Sequence, residues 1–209
     1  MATAIRLVSL LKTLVTLLLI SSFVFLNTGL VRPQIEQDSE KVLMKIDFHQ
    51  KITDLGMKLE NEDDFFDCAY SFYQEGMDMD LMIAQMYCES RGLSGAIGAA
   101  KERGLFQFMR KTAKGVTESI GLTYHDGIEH DPLFSLMLYH YHMQDNLAHY
   151  DNNIQLALLA YNCGTPTIDY LLSHGKSVAQ IKKLIYAPRK WQPYDDKVGL
   201  VYAKLTNVA

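Results

Sequence analysis

The chain has 209 residues, 48% of them hydrophobic, enough for one domain to close a core without help from metals or disulfides. A net charge of -4, a pI near 6.0 and the lack of any Lys/Arg-rich stripe argue against a nucleic-acid partner, because phosphate binding requires a basic face.

The first feature along the chain is apolar. From Thr13 to Val31 there are 19 residues without a charge, many of them Leu, Val, Ile or Phe, close to the ~17–25 residues needed to span a bilayer. Arg6 and Lys12 precede this run, and Glu36, Asp38 and Glu40 follow Arg32 beyond it. The positive-inside rule puts the N-terminus in the cytoplasm and everything beyond Arg32 outside. We therefore expect residues 1–31 to act as a single-pass transmembrane anchor, with a cleaved signal peptide as the alternative. The densest stretch, Leu14 to Leu26, is short enough for a signal core, but no A-x-A site follows it. Either way the remainder faces an extracytoplasmic space such as the periplasm.

Residues 32–40, VRPQIEQDS (from Val31) and Glu40, read as a polar linker. Lys41 to Glu60 has Ile46, Ile52, Leu55 and Leu59 near helical spacing, interrupted by Gly56. Asp64 to Gln74 reads as a short helix that Gly76 ends. Residues 32–75 thus form a linker with N-terminal helices, and 76–209 the main domain. There Asp78 should cap a helix from Met79 to about Ser90, stopped by Gly92. Helix starts are signalled at Asp131-Pro132, at Asn153 and at Thr165-Pro166, Gly175 closes the third, and a last helix spans Tyr194 to Leu205. Leu122 to Tyr124 is the one stretch with a strand-like pattern. The fold class expected is mostly α.

In the Met79 helix, Met82, Met86 and Glu89 fall in one narrow sector, with Met79 and Gln85 flanking it. A carboxylate among methionines is disfavoured in its charged form by desolvation, and again by the negative end of the helix dipole. Both effects raise its pKa, which suits a general acid working near neutral pH. The structural alternative is an ion pair with Arg91 or Arg103. Cys68, Cys88 and Cys163, an odd number, read as small buried hydrophobes. His140 and His142 form an H-x-H pair whose rings point to different faces of a helix, so no metal site is expected. Tyr87, Tyr124, Tyr139 and Tyr141 read as core, and Trp191, the only tryptophan, as the best candidate for stacking on a ligand.

Beyond Glu89-Ser90 come Gly104-Leu105-Phe106-Gln107, Ala160-Tyr161-Asn162 and Tyr194, with Gly104 lying 15 positions after Glu89. These four ordered blocks, spanning about residues 76 to 204, resemble the lytic transglycosylases of the soluble (SLT) type, whose domain is lysozyme-like. The resemblance implies that Glu89 is the single catalytic acid/base and that Gln107 and Met109 line the groove. Tyr161 and Asn162 would contact the N-acetyl sugar beside the scissile bond, and Tyr194 would bring a hydroxyl near Glu89. It also implies cleavage between N-acetylmuramic acid and N-acetylglucosamine of peptidoglycan strands, with a 1,6-anhydro product and neither metal nor cofactor. Secretion, conjugation or virion assembly partners fit such an enzyme. The chain departs from the family pattern at several points. Gly98 stands where relatives often carry a serine nine positions after the acid, Phe106 replaces Met, Arg110 replaces Pro, and Cys163 replaces a small residue. Lys190, Trp191 and Gln192 stand in place of Glu-Thr-Arg. No second carboxylate is singled out by spacing: Glu102 adjoins Arg103, and Asp126 sits beside His125.

Overall fold

The computed structural model describes residues 32–189 and 192–206. The apolar run Thr13 to Val31 and the only tryptophan, Trp191, lie outside the described residues. Among those described, no helix is long and apolar enough to cross a membrane. The described residues divide into two units, the boundary falling between Lys51 and Ile52.

The architecture is helical, as the periodicity predicts, but its boundaries differ in instructive ways. Helix α1 spans Arg32–Asp54, so the stretch expected to be a linker is helical. Pro33 falls in the first turn, where a missing N–H costs nothing, and the Glu and Gln residues after it are good helix formers. The helix also stops short of Glu60. Gly56, at φ 68, turns the chain, its N–H reaching Thr53 O at 2.9 Å while that of Met57 reaches Ile52 O at 3.0 Å. Helix α2, Glu62–Gln74, buries Phe65, Phe66 and Ala69 and closes through the same arrangement at Gly76.

Helix α3, Met79–Ser90, starts as expected: the Asp78 carboxylate accepts from Leu81 N at 3.0 Å. It has no single apolar face. Leu81, Ile83, Ala84 and Cys88 are as buried as Met82 and Met86, which makes α3 the central helix of its unit. Helix α4, Arg110–Ser119, was not anticipated. Helix α5, Pro132–His149, begins where Asp131 accepts from the N–H groups of Leu133 and Phe134, both at 2.9 Å. Asn153 caps α6, Ile154–Cys163, through Leu156 N at 3.1 Å. In α7, Thr165–Ser173, Thr165 is the first helical residue and not its cap, the cap position belonging to Gly164. Helix α8, Val178–Tyr186, also unanticipated, starts with a capping box formed by Ser177 and Gln180. Helix α9 is Tyr194–Thr206. The described residues hold only isolated bridges, at Ile97 with Arg103 and Arg103 with Phe108, so Leu122 to Tyr124 is irregular and not a strand.

Helix α9 runs antiparallel to α3 and clips both of its ends. The Tyr202 hydroxyl donates to the Asp78 carboxylate at 2.7 Å, and the Lys197 ammonium donates to Cys88 O at 2.7 Å. A cation on the last carbonyls of a helix offsets the negative end of its dipole. The C-terminal stretch is thereby held against the end of α3 that carries Glu89. Beneath lies the core, with Phe106 stacked on Tyr139 at 4.3 Å between ring centres.

Candidate active site

The end of α3 is shaped by two successive left-handed residues, Arg91 (φ 60) and Gly92 (φ 78). Ser90, buried, ties this turn to the next block. Its hydroxyl donates to Leu105 O at 2.7 Å and accepts from Gly92 N at 3.2 Å. Gly104-Leu105-Phe106-Gln107 is the tip of a tight hairpin, closed by reciprocal hydrogen bonds between Arg103 and Phe108 at 3.0 and 2.9 Å. Gly104 sits at φ 79, and a Cβ there would lie 1.7 Å from the backbone oxygen of Glu129, so no other residue fits.

These elements enclose a groove of about 660 Å³. Glu89, Gln107, Met109, Tyr161 and Asn162, five of the six residues expected from the sequence, line it. The sixth, Tyr194, is buried behind Glu89, its ring parallel to that of Tyr161 at 6.3 Å. His142 reaches the groove, its ring near those of Phe108 and Tyr161, whereas His140 is buried against Phe72 and Glu75. The two histidines thus diverge as the H-x-H spacing predicts.

Glu89 is only partly exposed, and burial pushes its carboxyl up to about 7. A hydrogen bond from Tyr194 and the charge of Lys197 pull the other way, while Glu102 adds to the rise. The leading cause is the expected desolvation. The second cause expected, the helix dipole, is countered by Lys197 seated on the Cys88 carbonyl. Neither arginine proposed as an ion-pair partner is engaged with Glu89. Arg91 lies over the Tyr87 ring at 4.0 Å, and Arg103 pairs with Asp126 at 3.0 Å.

Polar groups around the acid have fixed directions. The Tyr139 hydroxyl donates to Gln85 Oε1 at 2.9 Å, and Gln85 Nε2 donates to the Tyr194 hydroxyl at 3.1 Å. The Tyr194 proton is left to point at Glu89. Gln85, fully buried, flanks the Glu89 sector as the helical phase predicts, but nothing in that placement assigned it a role in the site. Gln107 Nε2 is spent on the carbonyls of Gly104, at 2.8 Å, and Ala96, at 3.3 Å, so Oε1 is what it offers to a ligand. Asn162 is the converse. Its Oδ1 accepts from the Tyr186 hydroxyl at 2.9 Å and leaves the NH₂ group as a donor. The Tyr161 hydroxyl donates to Phe106 O at 2.7 Å. Glu102, set aside in the sequence because of its neighbour Arg103, lines the same groove as Glu89. No disulfide joins Cys68, Cys88 and Cys163, and Cys163 lies on the groove wall.

The site therefore joins a proton-bearing carboxyl, a donor and an acceptor of fixed sense, and an apolar wall at Met109. Among the described residues no group of three or more His, Cys, Asp or Glu is arranged to hold a metal ion. A family model described as the transglycosylase SLT domain matches residues 70–182, more than half of the chain. Tyr194 and Lys197 lie beyond the matched span. The chain matches no curated protein.

Proposed function

The chain belongs to the transglycosylase SLT domain family, and from this premise we propose that it is a peptidoglycan lytic transglycosylase. Its substrate is the β-1,4 bond between N-acetylmuramic acid and N-acetylglucosamine, and its product carries a 1,6-anhydro ring. The observation that carries this reading is Glu89, a carboxyl raised to about 7 on the wall of a groove of about 660 Å³. At neutral pH a large share of it holds a proton, as a general acid must.

In this mechanism Glu89 gives its proton to the glycosidic oxygen as the C1–O bond breaks and the bonding pair leaves with that oxygen. The acetamido group of the muramyl residue stabilises the cationic C1. Glu89, now a carboxylate, removes the proton of the C6 hydroxyl, whose oxygen closes on C1, and the acid is restored without consuming water. The Tyr194 hydroxyl, oriented by Gln85 and Tyr139, donates to the carboxylate during the interval when it is charged. Gln107 Oε1 and the Asn162 amide hold hydroxyl and acetamido groups of the strand, with Met109 and the Tyr161 ring as apolar surface.

Glu89→Gln tests this directly: release of soluble muropeptides from purified murein should stop. Release that continues unchanged in that variant would remove Glu89 from the role of the acid, and a wild type that binds murein without releasing anything would leave the fold a peptidoglycan-binding module. The second carboxylate, Glu102, favours one rival reading, lysozyme-type hydrolysis, since hydrolases pair an acid with a base or nucleophile. Products with reducing muramic ends would establish that reading instead. We further propose a single-pass inner-membrane protein anchored by residues 13–31, with the groove in the periplasm, that opens the wall locally for a secretion, conjugation or virion apparatus.

A further inference from the structure

Gly98 appears in the sequence as a loss, a glycine where a hydroxyl is common in the family. The loop around it has a different logic. Gly98 N–H donates to Glu102 O at 2.8 Å and Lys101 N–H to Gly98 O at 3.0 Å, with Lys101 in the left-handed region at φ 69. The turn folds the Glu102 side chain back over the α-carbon of Gly98. A Cβ added at 98 would lie 2.0 Å from Glu102 Oε1 and 2.2 Å from its carboxyl carbon. A side chain at 98 and a carboxylate in this place exclude each other, so Gly98 is the condition for Glu102 to occupy its present position.

That position is in the groove, on the wall shared with Glu89 and Gln107. The neighbour expected to neutralise it, Arg103, is committed to Asp126 at 3.0 Å. Glu102 Oε2 is buried and accepts no hydrogen bond. A buried acceptor without a donor is costly and uncommon, and where it lines a ligand groove the missing donor is the ligand's to supply. A carboxylate accepts only, and an N-acetylated glycan offers hydroxyl and acetamido donors.

We propose that Glu102 is a second substrate-contacting carboxylate of the groove: seated over Gly98, it accepts a hydrogen bond from an acetamido N–H or a hydroxyl of the glycan. The inference rests on the transglycosylase reading for the identity of the strand, and it assigns the role of the absent side chain at 98 to another residue four positions on. Its negative charge also bears on Glu89, keeping the acid protonated to higher pH.

The test uses the full chain in detergent, assayed on purified murein, with Glu102→Ala and Glu102→Gln. Glu102→Ala should lower kcat/KM by about ten- to a hundredfold, the range for a lost hydrogen bond to a charged group. Its melting temperature should be unchanged or higher, since an unpaired buried oxygen is gone. In Glu102→Gln the alkaline limb of kcat/KM should move to lower pH, an effect that a merely structural residue would not produce. On murein de-N-acetylated at its glucosamine residues alone, which keeps the muramyl acetamido group that the mechanism needs, a defect that vanishes identifies the glucosaminyl acetamido N–H as the donor, and one that persists identifies a hydroxyl or the muramyl acetamido N–H. Unchanged kcat/KM and an unmoved limb in both variants would overturn the inference. If the wild type itself releases nothing, the transglycosylase reading fails separately. Co-sedimentation with murein then still decides the contact, weaker binding by Glu102→Ala supporting it and equal binding overturning it.

Discussion

At the scale of the residue, the site is organised around keeping one proton on Glu89. Ordinary glutamate titrates near 4.5, and in the folded protein this one is raised to about 7. Activity that needs the protonated form should therefore fall as pH rises through about 7, a limb visible in a pH profile of kcat/KM. The same shift has a cost in stability, and its sign follows from linkage. The unfolded chain ionises above pH 4.5 while the folded protein holds its proton, so stability declines from there up to about 7 and then levels off. Because Glu89 is partly exposed, the penalty is about 1–3 kcal/mol. Glu89→Gln should be inactive yet more stable than the wild type by that amount at pH 8, with the difference gone at pH 4, as paired denaturant titrations would report. Tyr194→Phe removes a hydrogen bond that favours the charged form, so its alkaline limb should lie at higher pH than that of the wild type. Glu89 was legible from sequence because helical phase set it among Met82 and Met86. Glu102 was not, because its position depends on the turn at Gly98 to Lys101 and on Arg103 choosing Asp126 instead.

At the scale of the element, glycine marks where the hairpin carrying Gln107 meets the rest of the fold. Gly104→Ala forces a Cβ to within 1.7 Å of Glu129 O at a φ of 79. It should destabilise by ~3 kcal/mol or more, read as a drop in melting temperature of roughly 6–12 °C. Gly115, exposed inside α4 with no atom near its would-be Cβ, is the contrast. Gly115→Ala should raise stability by up to ~1 kcal/mol in the same melting experiment. Capping chemistry was the most readable part of the fold: Asp78, Asp131 and Asn153 each accept the hydrogen bonds that their positions imply. Helix α8 carried an equally clear sign in Ser177 and Gln180 that was passed over. Helix α4 carried none, since Met109 at its start has no side chain able to cap. Helix α1 was misjudged at its start because polar composition alone does not separate a linker from a solvated helix.

At the scale of the whole molecule, the groove and the buried groups behind its acid are assembled from parts far apart in sequence. Gln85 and Glu89 come from α3, Gln107 from the hairpin, Tyr161 and Asn162 from α6, and Tyr194 and Lys197 from α9. The hydrogen bonds from α9 to α3 span 109 residues of chain and stand beside Glu89, so the C-terminal helix tunes an acid that the family-matched segment supplies. Four separated blocks in the sequence anticipated that convergence, whereas the buried relay through Gln85 and Tyr139 required the fold. If residues 13–31 anchor the protein, deleting residues 1–31 should move it from the membrane to the soluble fraction while murein release continues. The most direct measurement for the whole account is mass spectrometry of the muropeptides that the wild-type protein releases from purified murein, with Glu89→Gln as the blank. The account predicts 1,6-anhydro-muramyl ends, lighter by one water than hydrolysis products and absent from the blank. Reducing muramic ends, or the same release by Glu89→Gln, would contradict it.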